Sequence, residues 1–201
     1  ASIEVRTDPT STPAAIAKTI EKDPVDLAIV GWRPVEGTEV AEQILRKGDH
    51  HLLLAAHPGA RIERALVCVA SGEPGKDDVM FAGRLLRHLG ARAKLFTVLP
   101  NAMNNEYQNR QVVRFVAGGV QTLEMFGVPT ESELKIGDPQ AEIVEEIKKG
   151  EFDLVVLGAP FPQKDGRILI NGLIEGIMQN AGNCSVLIVR SHYHKNTVKH
   201  N

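Results

Sequence analysis

The sequence predicts an α/β protein built on a doubly wound parallel sheet, and three observations carry that expectation. Short aliphatic runs of strand length alternate with longer stretches whose apolar residues recur at helical spacing. Several runs are apolar at nearly every position, as in Leu154-Val155-Val156-Leu157, the pattern of parallel strands covered on both faces. The chain also repeats itself. Ile16, Ile20, Lys22, Asp26, Leu27, Ile29 and Gly31 return at one constant offset as Ile143, Ile147, Lys149, Asp153, Leu154, Val156 and Gly158.

Strands are expected at Ile3–Arg6, Leu27–Val30, His51–Ala55, Ala65–Val69, Ala93–Leu99, Glu133–Ile136, Phe152–Leu157 and Ser185–Val189. Between them lie four clear helical patterns. Asp77–Leu89 carries Met80, Phe81, Leu85, Leu86 and Leu89 on one stripe, and Glu106–Phe126 carries Val112, Val113, Val116, Val120, Leu123 and Phe126. Gln140–Lys148 holds Ile143, Val144 and Ile147, and the last pattern runs from about Leu169 to Ala181. Gly90, Gly127 and Gly150 follow the last periodic residues, where a left-handed C-cap costs glycine no strain. Asp138 offers an N-cap oxygen and Pro139 suits the first helical position. Asp8-Pro9 resembles that entry, but Thr10–Pro13 intervenes, so the first helix is expected to start near Pro13.

Residues 62–190 therefore read β-α-β-α-β-α-β-α-β, one complete five-stranded domain. Residues 1–57 read as the back half of a second copy, joined through the turn-rich His57-Pro58-Gly59-Ala60-Arg61, and 191–201 read as a tail. A chain that opens in mid-unit is expected to be the end of something longer, and its half unit to need covering, either by residues 62–190 or by a second chain. Light net charge, −2, removes the electrostatic case for nucleic acid or an anionic membrane surface. No apolar run reaches the roughly 20 residues that span a bilayer, so no membrane insertion is expected in this segment. Cys68 and Cys184 both lie within apolar strands, which suits buried thiols in a reducing, cytoplasmic compartment.

These residues resemble the universal stress protein family, an adenine nucleotide alpha hydrolase-like fold. Arg64-Ala-Leu-Val-Cys-Val-Ala-Ser-Gly looks like its first strand, and Ala82-Gly-Arg-Leu-Leu like the helix that follows. Ile136-Gly-Asp-Pro-Gln-Ala-Glu-Ile resembles its Gly-Asp-Pro helix entry. Phe152-Asp-Leu-Val-Val-Leu-Gly and Cys184-Ser-Val-Leu-Ile-Val resemble its fourth and fifth strands. The resemblance implies a five-stranded parallel sheet that pairs with a second copy, often through the last strand, and hence a homodimer.

Nucleotide-binding members carry Gly-x-x-Gly, nine residues, then Gly-Ser/Thr after the fourth strand, so that backbone N–H groups and a helix N-terminus meet phosphate. Here Gly158 holds the first position, Phe161 takes the second glycine, and Asn171-Gly172 stand where the hydroxyl donor belongs. Lys164, Gly166 and Arg167 offer either a rebuilt anion site or, as the favoured reading, a solvated loop, and Ser71 and Gly72 after the first strand are further candidate binding residues. The aspartate such members place at that strand's end is replaced in Val69-Ala70-Ser71-Gly72. No cofactor is expected; a bound one would be ATP or another adenine nucleotide.

No nucleophile elbow, Cys-x-x-Cys or His-Glu-x-x-His occurs, so neither catalysis nor a metal is expected. Glu73, Asp77 and Asp78 read as acids capping or leading into their helix. His50-His51 read as an exposed strand entry, and His192, His194 and His200 as tail residues. Trp32, the single tryptophan, is expected either to pack over the sheet end or to anchor an interface. Gly31-Trp32-Arg33-Pro34 also resembles the stress-protein-like tails of amino-acid permeases and cation antiporters, which would make a membrane transporter the attached partner. The expected function is a non-enzymatic regulatory module, with a transporter's cytoplasmic domain or an adenine-nucleotide-binding stress protein as alternatives.

Overall fold

The computed structural model describes residues 13–32, 38–57, 59–70, 73–100, 106–163 and 167–191. In chain order the elements are α1 (Pro13–Lys22), β1 (Leu27–Gly31), α2 (Glu39–Leu45), β2 (His51–Ala55), β3 (Arg64–Cys68), α3 (Glu73–Leu89), β4 (Arg92–Leu99), α4 (Glu106–Met125), β5 (Thr130–Ile136), α5 (Pro139–Gly150), β6 (Leu154–Gly158), α6 (Gly172–Asn180) and β7 (Ser185–Val189). The seven strands form one sheet, ordered β1-β2-β7-β6-β3-β4-β5. Every neighbouring pair is parallel except β2–β7, which is antiparallel. The expected strand Ile3–Arg6, the Asp8-Pro9 entry and the tail histidines lie outside the described residues.

Alternation along the central strands builds two apolar layers. Val155, Leu157, Val186 and Ile188 point to one face, where Ile20, Ile44, Ile143 and Ile177 bring α1, α2, α5 and α6 against them. Leu154, Val156, Leu187 and Val189 point to the other, under Val79, Ala82, Val112 and Val116 of α3 and α4. This is why β6 and β7 are apolar at almost every position: both their faces are core.

The antiparallel junction is how residues 13–57 are held. Leu52, Leu53 and Leu54 pair with Ile188, Leu187 and Val186, so the second strand of residues 13–57 docks on the last strand of the sheet within the same chain. Arg190 clasps the seam. Its backbone N–H donates to His51 Nδ1 at 3.0 Å, and its guanidinium donates to the Leu45 carbonyl at 3.0 Å and to Asp49 Oδ1 at 2.9 Å. The two sequence copies also share their strand-end bonding. His51 N–H donates to the Asp26 carbonyl and Trp32 N–H to that of Ala55, just as Ser185 N–H donates to the Asp153 carbonyl and Ala159 N–H to that of Val189.

Several sequence expectations are corrected. Gly90 and Gly127 do take positive φ, but Gly150 remains helical and Glu151 carries the left-handed turn with φ 50°. The buried stripe of α3 is Asp78, Val79, Ala82 and Leu86, while Met80 is exposed; on α4, Val113 is exposed. Because α3 already begins at Glu73, Asp77 and Asp78 lie inside it rather than at its cap. His50 is buried, not an exposed entry, with Nε2 lacking a hydrogen-bond partner. Burial and the nearby Arg190 charge lower its pKa, against a smaller opposing pull from Asp49.

Asp138 caps α5 as expected, its Oδ1 accepting the Ala141 N–H at 2.8 Å. Asp138→Ala is expected to lower stability by about 1 kcal/mol, a loss that a urea unfolding curve resolves. At the far edge Lys94 lies between Glu146 Oε1 at 2.5 Å and Glu133 Oε2 at 2.6 Å. Burial alone would lower the Lys94 pKa, but these carboxylates together raise it, so the ammonium stays charged.

Candidate functional site

In an open parallel sheet, ligands meet the chain outside the carboxyl ends of the strands, where neighbouring crossovers diverge. Here that place lies between β3, β6 and the start of α3. Of the predicted site residues, Gly158, Arg167, Asn171 and Gly172 are described, whereas Ser71, Gly72, Lys164 and Gly166 lie outside the described residues.

Gly158 ends β6, and what presses on it is unexpected. A Cβ built there would stand 2.6 Å from Asp78 Oδ2, so only glycine admits the carboxyl that α3 lays against this strand end. Asp78 is buried and its Oδ1 has no hydrogen-bond partner. Burial first, and the Asp77 charge second, push its pKa up to about 7, against a hydrogen bond with Ser191 that pulls it down. The sequence carried a faint sign of this position: Asp78, Ala82 and Leu86 fall at four-residue steps on one helix face.

The described residues on either side of 164–166 are held together and to the core. Gln163 N–H donates to the Arg167 carbonyl at 2.8 Å, and Ile168 and Ile170 are buried. Phe161 turns out into solvent, while Arg167 is exposed. Asn171 precedes α6 without using its side chain as a cap, and Gly172 takes φ +56°, which favours glycine. Just before them, the Ile170 N–H donates to Glu42 Oε1 at 2.7 Å. Glu42 belongs to α2, in the front segment, 128 residues away. A backbone donor at the threshold of α6 is thus already committed to a carboxylate of the same chain.

Gly158 ends β6 and Asn171-Gly172 open α6, and the structure adds two acids that sequence reasoning did not place, Asp78 against Gly158 and Glu42 on the Ile170 N–H. Among the described residues no group of three or more His, Cys, Asp and Glu side chains is arranged to hold a metal. Cys68 and Cys184 are buried and unpaired; burial raises both thiol pKa values, that of Cys184 to about 12.

The family model described as "Universal stress protein family" matches residues 34–190, most of the chain. The chain belongs to the universal stress protein family. Solved structures show the same fold. A putative universal stress protein from Pseudomonas aeruginosa UCBPP-PA14 superposes with TM-score 0.65 at 16% identity, covering 87% of this chain and 66% of that one. That share of the chain exceeds what residues 64–190 can supply, so the superposition extends into the front segment. A universal stress protein from Archaeoglobus fulgidus matches with TM-score 0.54 at 16% identity, covering 63% of this chain and 98% of that one. A third, a universal stress protein in complex with cAMP, gives TM-score 0.52 at 18% identity over 65% and 98% of the two chains. Among curated proteins none matches the chain. For this universal stress protein, family and fold are therefore established.

Proposed function

We propose that this universal stress protein is a non-enzymatic regulatory module whose nucleotide seat is closed by its own carboxylates. The observations that carry the reading are two acids, Asp78 against Gly158 at the end of β6 and Glu42 on the Ile170 N–H before α6. Phosphate binding at such a loop needs uncommitted N–H donors and a positive local field. Here a donor is committed and a buried carboxyl stands beneath the glycine. Ala70, in place of an acid at the first strand's end, further weakens any grip on a nucleotide. On this reading the module works through association with other chains, in a reducing cytoplasmic setting that suits its two buried thiols.

A second reading, adenine nucleotide binding, rests on the shared fold with the cAMP complex. Attachment to a membrane transporter draws on Gly31-Trp32-Arg33-Pro34, and no described helix is long and apolar enough to cross a membrane. Titration calorimetry with ATP, AMP and cAMP separates the first two. No saturation below about 1 mM, weaker than −4 kcal/mol, is the expected result, and micromolar binding of any of them would overturn the proposal.

A further inference from the structure

The antiparallel seam is symmetric about its centre, yet its two ends are closed by different chemistry. Leu53 stands opposite Leu187, with Leu52 opposite Ile188 and Leu54 opposite Val186. His51 and Ser185 therefore hold equivalent places before that centre, and Ala56 and Arg190 hold equivalent places after it. Each end makes the same bond. The Ala56 N–H donates to Ser185 Oγ at 3.3 Å, and the Arg190 N–H donates to His51 Nδ1 at 3.0 Å. The residues one step earlier match too, since Cys184 and His50 are both buried. One end thus uses a hydroxyl and a thiol, the other two imidazoles, the side chains whose charge changes near neutral pH.

Both imidazoles are placed as neutral groups. A ring nitrogen accepts a hydrogen bond only while it carries no proton, so His51 Nδ1 must be unprotonated to take the Arg190 N–H. Its ring lies against Phe81 of α3, with centroids 3.6 Å apart, which hinders it from turning aside. His50 is buried, and its Nε2 has no hydrogen-bond partner that could share a positive charge. The charged groups about this end are Arg190 and Asp49, Asp78 of α3 through its bond with Ser191, and the Glu21–Lys47 pair that joins α1 to the turn after α2.

We propose that His50 and His51 form a proton-sensitive latch, through which acidification loosens the attachment of residues 13–57 at this end of the seam. A proton on His51 Nδ1 turns an acceptor into a second donor aimed at the Arg190 N–H, and that bond is lost. A proton on His50 places a buried cation near the Arg190 guanidinium, whose bonds to Asp49 Oδ1 and the Leu45 carbonyl tie the same end. Burial first, and the Arg190 charge second, lower the His50 pKa. Its share of the stability is therefore present above pH 6.5 and lost as pH falls. Asp78 takes up its proton over an overlapping range with the opposite sign, so global stability alone would mask the latch. The Ser185 end has no such response, because a hydroxyl keeps its acceptor lone pairs throughout this range. The latch works whether or not a nucleotide binds.

The test uses the whole chain and the seam's own symmetry. Amide hydrogen exchange, followed by NMR and corrected for the intrinsic rate at each pH, compares Arg190 with Ala56. Between about pH 7 and about pH 5, the protection of Arg190 should fall at least about tenfold more than that of Ala56, the scale of one hydrogen bond lost from a half-buried donor. The double variant His50→Cys/His51→Ser gives this end the two residues that already close the other, and under reducing conditions it should abolish the difference. His51→Ser alone leaves the buried position untouched and should shrink the difference at least about threefold, so it decides the matter if the double variant does not fold. Equal falls at both ends, or no fall at Arg190, overturn the proposal. So does a difference that His51→Ser keeps in full.

Discussion

Trp32→Ala is expected to destabilise the protein by about 3–5 kcal/mol, the range for truncating a large buried aromatic. The residue follows β1, where an exposed indole would serve as an interface anchor, but the ring is only 3% exposed. Its apolar cluster includes Ile44, Leu54, Ile168 and Ile170, which come from α2, β2 and the loop before α6. Trp32 thus belongs to a core shared by residues 13–57 and residues 64–190. At roughly 2–4 °C per kcal/mol for a chain of this size, the melting temperature should drop by about 6–20 °C in circular dichroism. An anchor role predicts the opposite pattern: a near-normal melt with weakened self-association. Trp32→Phe, which keeps an aromatic ring, should recover much of the loss.

How far the sequence revealed this molecule depended on how local each feature is. The expected β2 and β7, His51–Ala55 and Ser185–Val189, coincide with the observed strands, because continuous aliphatic runs bounded by turn residues state their own limits. The β6 start moved from Phe152 to Leu154 because Phe152 packs its ring beside Arg64, at 4.7 Å, and Asp153 turns its side chain to accept the Glu63 and Arg64 N–H groups. The antiparallel seam was not legible in residue composition, although the family resemblance had pointed to pairing through the last strand and to the half unit docking on residues 62–190. Parallel and antiparallel central strands share one apolar composition, and which strand neighbours β7 is a long-range fact. The candidate site divided in the same way. Gly158 and the Asn171-Gly172 pair follow from local spacing, and the structure places them at strand and helix ends. Glu42 was invisible, because no local pattern links a helix in the front segment to the Ile170 N–H. Asp78 was misread through its neighbours. Asp77 and Asp78 look like one acidic pair at a helix start, yet one is partly exposed and the other buried beneath Gly158.

Asp78→Asn is expected to flatten the loss of stability that the wild-type protein suffers between pH 4 and 8. Burial raises the Asp78 pKa from 3.8 to about 7, so the folded state holds this proton more tightly than the unfolded chain does. The resulting stabilisation is complete below about pH 4 and is lost as pH rises through about 7, where the folded protein must ionise a buried carboxyl. The rise from 3.8 to about 7 corresponds to at most about 4 kcal/mol, and partial relaxation around the charge brings the expected loss to roughly 2–3 kcal/mol. His50 acts with the opposite sign. Its lowered pKa gives stability that is present above pH 6.5 and lost on acidification. Since His50 is common to both proteins, the difference between wild-type and Asp78→Asn urea curves at each pH isolates Asp78. That difference should grow in favour of the variant from pH 5 to pH 8, and parallel curves would refute the assignment. The same proton bears on the site. Burial favours the neutral form of the carboxyl beneath Gly158, and on the proposed reading its ionisation as pH rises would add a negative charge beside the loop after β6. On the reading proposed above, a strand end that holds phosphate would carry the opposite charge, and the acid on α3 would weigh against phosphate more than the altered loop spacing does.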